Sequence, residues 1–152
     1  MLAILALAAG LTAPPQPRVL TLPTAIELAR AAIDACVAKG EHVSAAVVDA
    51  QGVPLVVLRD DMSPKPPIAA PRKANTAVVF GEPGSVLEPR QKTDPDFAAR
   101  LAADPERLNP HVGSLPLRVG TFVVGGLAVA DTSHETADRC ARAALAQFPQ
   151  FH

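Results

Sequence analysis

Side chains able to bind or transform a ligand are few and scattered along this 152-residue chain. The four imidazoles are His42, His111, His134 and His152, and imidazole is the group that ligates metals and moves protons near neutral pH. His111 stands in a proline-rich loop, between Pro110 and Val112 and beside Gly113, where a ring can reach a ligand. Its ordinary reading is an exposed loop histidine. His134 is expected at the start of the last helix, where a neutral ring can ligate but a protonated one opposes the dipole; capping or solvation is the expectation there. His42 reads as surface at a strand's start, and His152 as a frayed terminus. Arg72 and Lys73 are expected to open a short helix, where two cations and free N–H groups can hold a carboxylate such as a small organic acid. The alternative for that pair is two solvated helix charges.

Catalytic machinery is harder to assemble. No His-x-x-x-His, paired-cysteine or P-loop pattern occurs, and Gly125-Gly126 is not a dinucleotide fingerprint. Ser44, Ser85 and Ser114 lack the context of an activated nucleophile. Asp49 suits a turn, and adjacent Asp60 and Asp61 make a weak site for a hard cation. Enzymatic activity stays open, leaning to none. Cys36 and Cys140 are too distant for a CxxC motif. Each falls on the apolar stripe of a helix, Cys36 with Ile26, Ala29, Ile33 and Val37, and Cys140 with Ala137, Ala141, Ala144 and Phe148. Buried reduced thiols are the expectation, with a disulfide or a reactive thiol as the lesser alternatives.

The elements that must position these groups can be read from pattern. Thr24 with Glu27 suggests a capping box, Pro23 suits the entrance, and a helix should run to about Lys39 before Gly40. Val43–Asp49 reads as a strand buried on both faces, and the turn at residues 49–52 is short enough only for an antiparallel hairpin with Val53–Arg59. Pro54 belongs at that second strand's start or on an edge. Pro64, Pro66, Pro67 and Pro71 precede a helix over Arg72–Phe80, closed by Gly81, and Thr93-Asp94-Pro95 begins another through about Ala103. Leu115–Val119 and residues 121–130 form a second hairpin, with Gly125-Gly126 inside a strand where glycine permits close approach of a helix or a flat ligand. Thr132 or Ser133 caps a last helix through about Gln147. The order α-β-β-α-α-β-β-α predicts an α+β fold, one domain with an antiparallel sheet of four or five strands flanked by helices.

Composition narrows the partners. A formal net charge of −1, from 14 basic and 15 acidic residues, gives no field for nucleic acid. Hydrophobic residues make up 49% of the chain, enough for a core, but the aromatics are five Phe only. A core of Ala, Val and Leu gains little per side chain, so contacts between copies are expected to supplement it. Residues 1–17 are an apolar run and a Pro-rich linker, set apart from a domain over 18–152. Met1–Ala13 has the length of a signal-peptide core and is too short for a transmembrane helix. No Lys or Arg precedes it, and Pro14 follows Ala13. A periplasmic or extracellular protein, if this is a signal, and a cytoplasmic one, if it is a short packing helix, both stay open.

Six segments in order resemble the GlcG/HbpS-like family. They are Leu20-Thr21-Leu22; Ala46-Val47-Val48-Asp49-Ala50-Gln51-Gly52; Arg72-Lys73-Ala74 with Thr76-Ala77; Leu115-Pro116-Leu117; Val124-Gly125-Gly126-Leu127-Ala128-Val129; and Asp138 with Cys140-Ala141 and Leu145. The resemblance covers residues 21–147. It implies a layered antiparallel sheet with flanking helices, profilin-like in its layering, and a homo-oligomer. It also implies a haem or tetrapyrrole binding module, non-catalytic or of unestablished activity. The alternative is a self-assembling accessory domain that holds a small organic acid or no ligand. Haem needs an axial donor, an apolar slot and cations for its propionates, which makes His111 the axial candidate and Arg72 and Lys73 the carboxylate-binding pair. The chain departs from the family pattern at Pro110-His111-Val112-Gly113-Ser114, at Ala130-Asp131 and at Pro71, all around that region, which leaves both loss and alteration of haem binding open.

Overall fold

A computed structural model describes residues 19–152; the possible signal segment and the linker at 1–17 lie outside the described residues. In chain order the elements are α1 (Leu22–Val37), β1 (Ser44–Asp49), β2 (Pro54–Arg59), α2 (Ala69–Phe80), α3 (Gly84–Thr93), α4 (Pro95–Ala103), β3 (Ser114–Val119), β4 (Phe122–Ala130) and α5 (His134–Leu145). Both expected hairpins form, and β1 and β4 pair antiparallel between them, so the sheet order is β2-β1-β4-β3. No described helix is long and apolar enough to cross a membrane.

The two central strands are buried on both faces, and their alternation builds three layers. Ala45, Val47, Leu127 and Val129 face the main core under α1 and α5. Ala46, Val48, Ala128 and Ala130 face the other way, onto Ala70 and Ala74 of α2. Leu87, Phe97 and Leu101 of α3 and α4 form a satellite cluster with Phe80 and Leu108. Phe97 meets Phe80 edge-on at 4.7 Å between ring centroids. The proline-rich stretch is thus tied to the end of α2 and is not a domain of its own.

The glycine pair in β4 serves backbone approach. A Cβ on residue 126 would sit 2.5 Å from the Ala74 carbonyl oxygen, and one on residue 125 would sit 2.4 Å from Leu20 Cδ2 and from the Val48 oxygen. The close neighbour at Gly126 is a helix, α2, and not a flat ligand.

Several boundaries differ from the sequence expectation, each for a local reason. The first helix is capped by Thr21, whose hydroxyl accepts from the Thr24 amide, and not by Thr24. Pro23, which has no N–H, then fits in the first turn. Helix α2 starts at Ala69, three residues before Arg72, because Pro71 in a first turn forfeits no intrahelical bond. Helix α3 was not among the expected elements; it contains Pro89. His152 is not frayed: it exchanges two backbone hydrogen bonds with Arg118 on β3, while Phe151 enters the core.

The cysteines are buried as expected, but the expectation of reduced thiols is corrected: Cys36 and Cys140 form a disulfide between α1 and α5, with 5.4 Å between their Cα atoms. Two stripes read separately as core face each other across one helix pair. Linking positions 104 residues apart removes chain entropy from the unfolded state. Replacing both cysteines by Ala should therefore cost about 2–4 kcal/mol, measured by denaturant unfolding of the oxidised wild type against the variant. Equal midpoints would show that the bridge contributes nothing.

Candidate functional site

Helix α2 carries adjacent side chains to different places. Arg72 leaves it toward an open cleft of about 320 Å³, also lined by Pro54, Ile68, Pro71 and Asn75 and by the charged pair Glu106 and Arg107. Its guanidinium donates to the Pro105 and Leu108 carbonyls, which orders residues 105–108 against the helix. Asn75 Nδ2 donates to the Arg107 carbonyl at 2.9 Å. Two polar atoms here, Arg72 Nε and Asn75 Oδ1, are buried without a hydrogen-bond partner. An unpaired buried donor or acceptor costs about 1–3 kcal/mol, and Asn75 Oδ1 is packed against Gly52, where a Cβ would collide with it.

Lys73 points into the protein. It is 4% exposed, and its ammonium donates to the Val129 carbonyl of β4 at 2.6 Å. Burial pulls its pKa down to about 8, against the opposing fields of Glu88, Asp131 and Asp138. Gly113, with φ of 101°, makes room for it: a Cβ there would stand 2.9 Å from Lys73 Nζ and 2.6 Å from Ala137 Cβ. Close to this ammonium the chain turns through Asp131, which holds a left-handed φ of 78°. Its carboxylate accepts from Ser44 Oγ at 2.6 Å.

His111 lies in the loop before β3, half-exposed, and its ring stacks obliquely on His134, 4.9 Å between centroids. Both rings turn Nδ1 toward Glu88 Oε1, at 3.7 Å from His111 and 3.1 Å from His134. The other carboxylate oxygen of Glu88 accepts the Val112 amide at 2.9 Å. Partial burial pushes the Glu88 pKa up, but the Val112 N–H and the two imidazoles outweigh it and hold the group below the usual carboxylate range. The cap of α5 is Ser133, so of the capping or solvent role expected for His134 the half-exposed ring keeps the solvent one. His42 pairs with Asp60 at 2.8 Å.

Of the site residues expected from sequence, Arg72 lines the cleft, Lys73 is committed to the sheet beside it, and His111 is grouped with Glu88 and His134. None of Lys73, His111 and His134 is part of the described cleft wall. Sequence reading missed Asn75, Arg107 and Glu88. Glu88 sits on the unexpected helix α3, and Asn75 lies one turn beyond Arg72 at i+3, a spacing that could have flagged it.

A family model described as haem degrading protein, HbpS-like, matches residues 20–146. The chain belongs to the HbpS-like family. The crystal structure of a double mutant of HbpS from Streptomyces reticuli is 35% identical, covering 97% of this chain and 98% of that one, with a TM-score of 0.78. A PduOC:haem complex aligns at 23% identity over 88% of this chain and 96% of that one, TM-score 0.78. The protein ORFY of Klebsiella pneumoniae aligns at 21% over 95% of this chain and 100% of that one, TM-score 0.77. The last two likenesses concern the fold. A comparison with curated proteins finds no match. Membership supports a haem-related function for this HbpS-like chain.

The buried ammonium has a consequence for stability. Lys73 titrates near 8 when folded and near 10.5 when unfolded. Below pH 8 both states are protonated and the folded state bears the cost of burying the charge. Between pH 8 and 10.5 the unfolded chain binds more protons, so stability rises with pH across that window. At 1.36 kcal/mol per pKa unit, Lys73→Met should lack a rise of about 3 kcal/mol that the wild type shows. Urea unfolding of both proteins from pH 7 to 10.5 measures it, and parallel curves would contradict the assignment.

Proposed function

We propose that this HbpS-like chain is a haem-binding module whose cleft beside α2 holds the acid edge of the tetrapyrrole. The observation that carries the reading is a cleft with apolar walls lined by two cations, Arg72 and Arg107, against a single acid, Glu106. Arg72 and Arg107 would hold the propionates, and Ile68, Pro54 and Pro71 would meet the macrocycle, whose iron supplies the redox and ligand chemistry. In this reading His111 remains the candidate axial donor, and Lys73 braces α2 against β4 from behind. A cleft of about 320 Å³ is at the small end of ligand pockets, roughly 300–1,000 Å³. The alternative reading, a small organic acid in the same cleft, is favoured by that size and by the lack of an imidazole in the described wall.

Titration of the protein with haem, followed by the Soret band, separates the two. Arg72→Ala should weaken haem by about 1–3 kcal/mol, one charged hydrogen bond, with the band position unchanged, and His111→Ala should shift the band. An unaltered band in His111→Ala would remove that residue from the axial role. No binding at all would leave the organic acid ahead. Decay of the band under reductant together with dioxygen would report oxidative degradation of the haem.

Two further proposals concern the chain's setting. We place it outside the cytoplasm, periplasmic or extracellular, because a disulfide persists in oxidising compartments; a thiol count on protein isolated from its own cell decides this against a reduced cytoplasmic chain. We also propose a homo-oligomer. Leu22, Ile26, Val57 and Ile68 are exposed large apolar side chains, and burying them between copies would add to an aromatic-poor core. Light scattering at micromolar concentration should report more than one chain per particle, and a stable monomer would defeat the proposal.

A further inference from the structure

Glu88 of α3, His111 of the loop before β3 and His134 at the start of α5 come from three separate elements. Their ligating atoms nevertheless lie within 4.8 Å of one another. A zinc-class ion bound at about 2.0–2.2 Å in a tetrahedron sets its ligand atoms roughly 3.3–3.6 Å apart. The contacts of Glu88 Oε1 with His134 Nδ1 at 3.1 Å and with His111 Nδ1 at 3.7 Å bracket that spacing.

The arrangement is poorly explained as an ordinary ion pair. One imidazolium would satisfy Oε1, whereas here two rings 4.9 Å apart converge on the same oxygen. If both are protonated they repel, whereas a cation between the three is held by two neutral rings and one carboxylate without that repulsion. Glu88 is also oriented from behind, since Oε2 accepts the Val112 amide and leaves Oε1 directed at the rings, as outer partners of metal ligands do. The side chains are 23%, 47% and 50% exposed for Glu88, His111 and His134, so an ion can enter and keep water in a fourth position. Two nitrogens with one carboxylate suit zinc or its transition-metal neighbours and not calcium or magnesium, which take oxygen. The Lys73 ammonium lies within the field of Glu88, and Asp131 and Asp138 offset it.

We propose that Glu88, His111 and His134 form a binding site for one divalent cation of the zinc class, outside the described wall of the cleft at Arg72 and in competition with haem iron for His111. The inference does not rest on the haem reading.

The test is calorimetric titration of the full oxidised chain with zinc chloride, and visible absorption with cobalt(II) as the probe. One ion per chain and cobalt ligand-field bands are expected. Glu88→Gln, which can still accept the Val112 amide, and His134→Ala, at an exposed position, should each weaken zinc by at least about 10–100-fold, the loss seen even for outer-shell partners. His42→Ala, at the separate contact with Asp60, should leave affinity unchanged. Thermal unfolding of each variant without metal checks that the fold is intact. His134→Ala should lose zinc while its haem titration matches the wild type, which separates this site from any role of His111 toward haem. No zinc uptake, or uptake unchanged in Glu88→Gln and His134→Ala, overturns the proposal.

Discussion

The close seat of α2 on β4 is the constraint on which the rest of the molecule depends. At Gly126 the strand has no side chain, and the Ala74 carbonyl occupies the space one would need. With the helix this near, Lys73 can span from its backbone to the Val129 carbonyl of the same strand. On another side of the helix, Arg72 and Asn75 are held where they gather residues 105–108 and wall the cleft. A helix standing a methyl group further out would lose the first contact and loosen the second.

That seat also sets the electrostatics. The buried ammonium of Lys73 is tolerated because three carboxylates, Glu88, Asp131 and Asp138, lie within its field and one carbonyl accepts from it. Asp131 sits in a backbone region that disfavours side chains, with φ of 78°, and the Ser44 bond to its carboxylate helps to hold it there. This corner is one of the places where the sequence departs from the family pattern it resembles, and here the Asp131 side chain is bonded to β1.

Much of the fold was legible in the sequence because its turns declare themselves. Asp49-Ala50-Gln51-Gly52 and the break at Gly120 marked two hairpins, and the unbroken apolar run of β1 marked that strand as buried on both faces, while the strand order came only from the structure. Proline obscured the rest. Pro71 was expected ahead of α2 but sits in its first turn, where it costs no bond, and Pro89 lies inside α3, a helix the pattern did not suggest, anchored by Leu87 on Phe97 and Leu101. At the site, residue types were readable and directions were not. Consecutive residues on a helix point about 100° apart at 3.6 per turn, so Arg72 and Lys73, a pair in sequence, are not a pair in space. Glu88, His111 and His134 are distant in sequence, and only the packing of α3 against the loop before β3 joins them.

The bridge between Cys36 and Cys140 gives the domain a closed covalent circuit. Both hairpins, the cleft and the proline-rich stretch lie on the loop between those cysteines. A protease that cuts one exposed turn on that loop would open the chain without releasing a fragment, because each half still ends at the sulfur of the other. Tethered pieces meet at high effective concentration, so such a nicked molecule could keep its sheet paired, and only reduction would let the halves part.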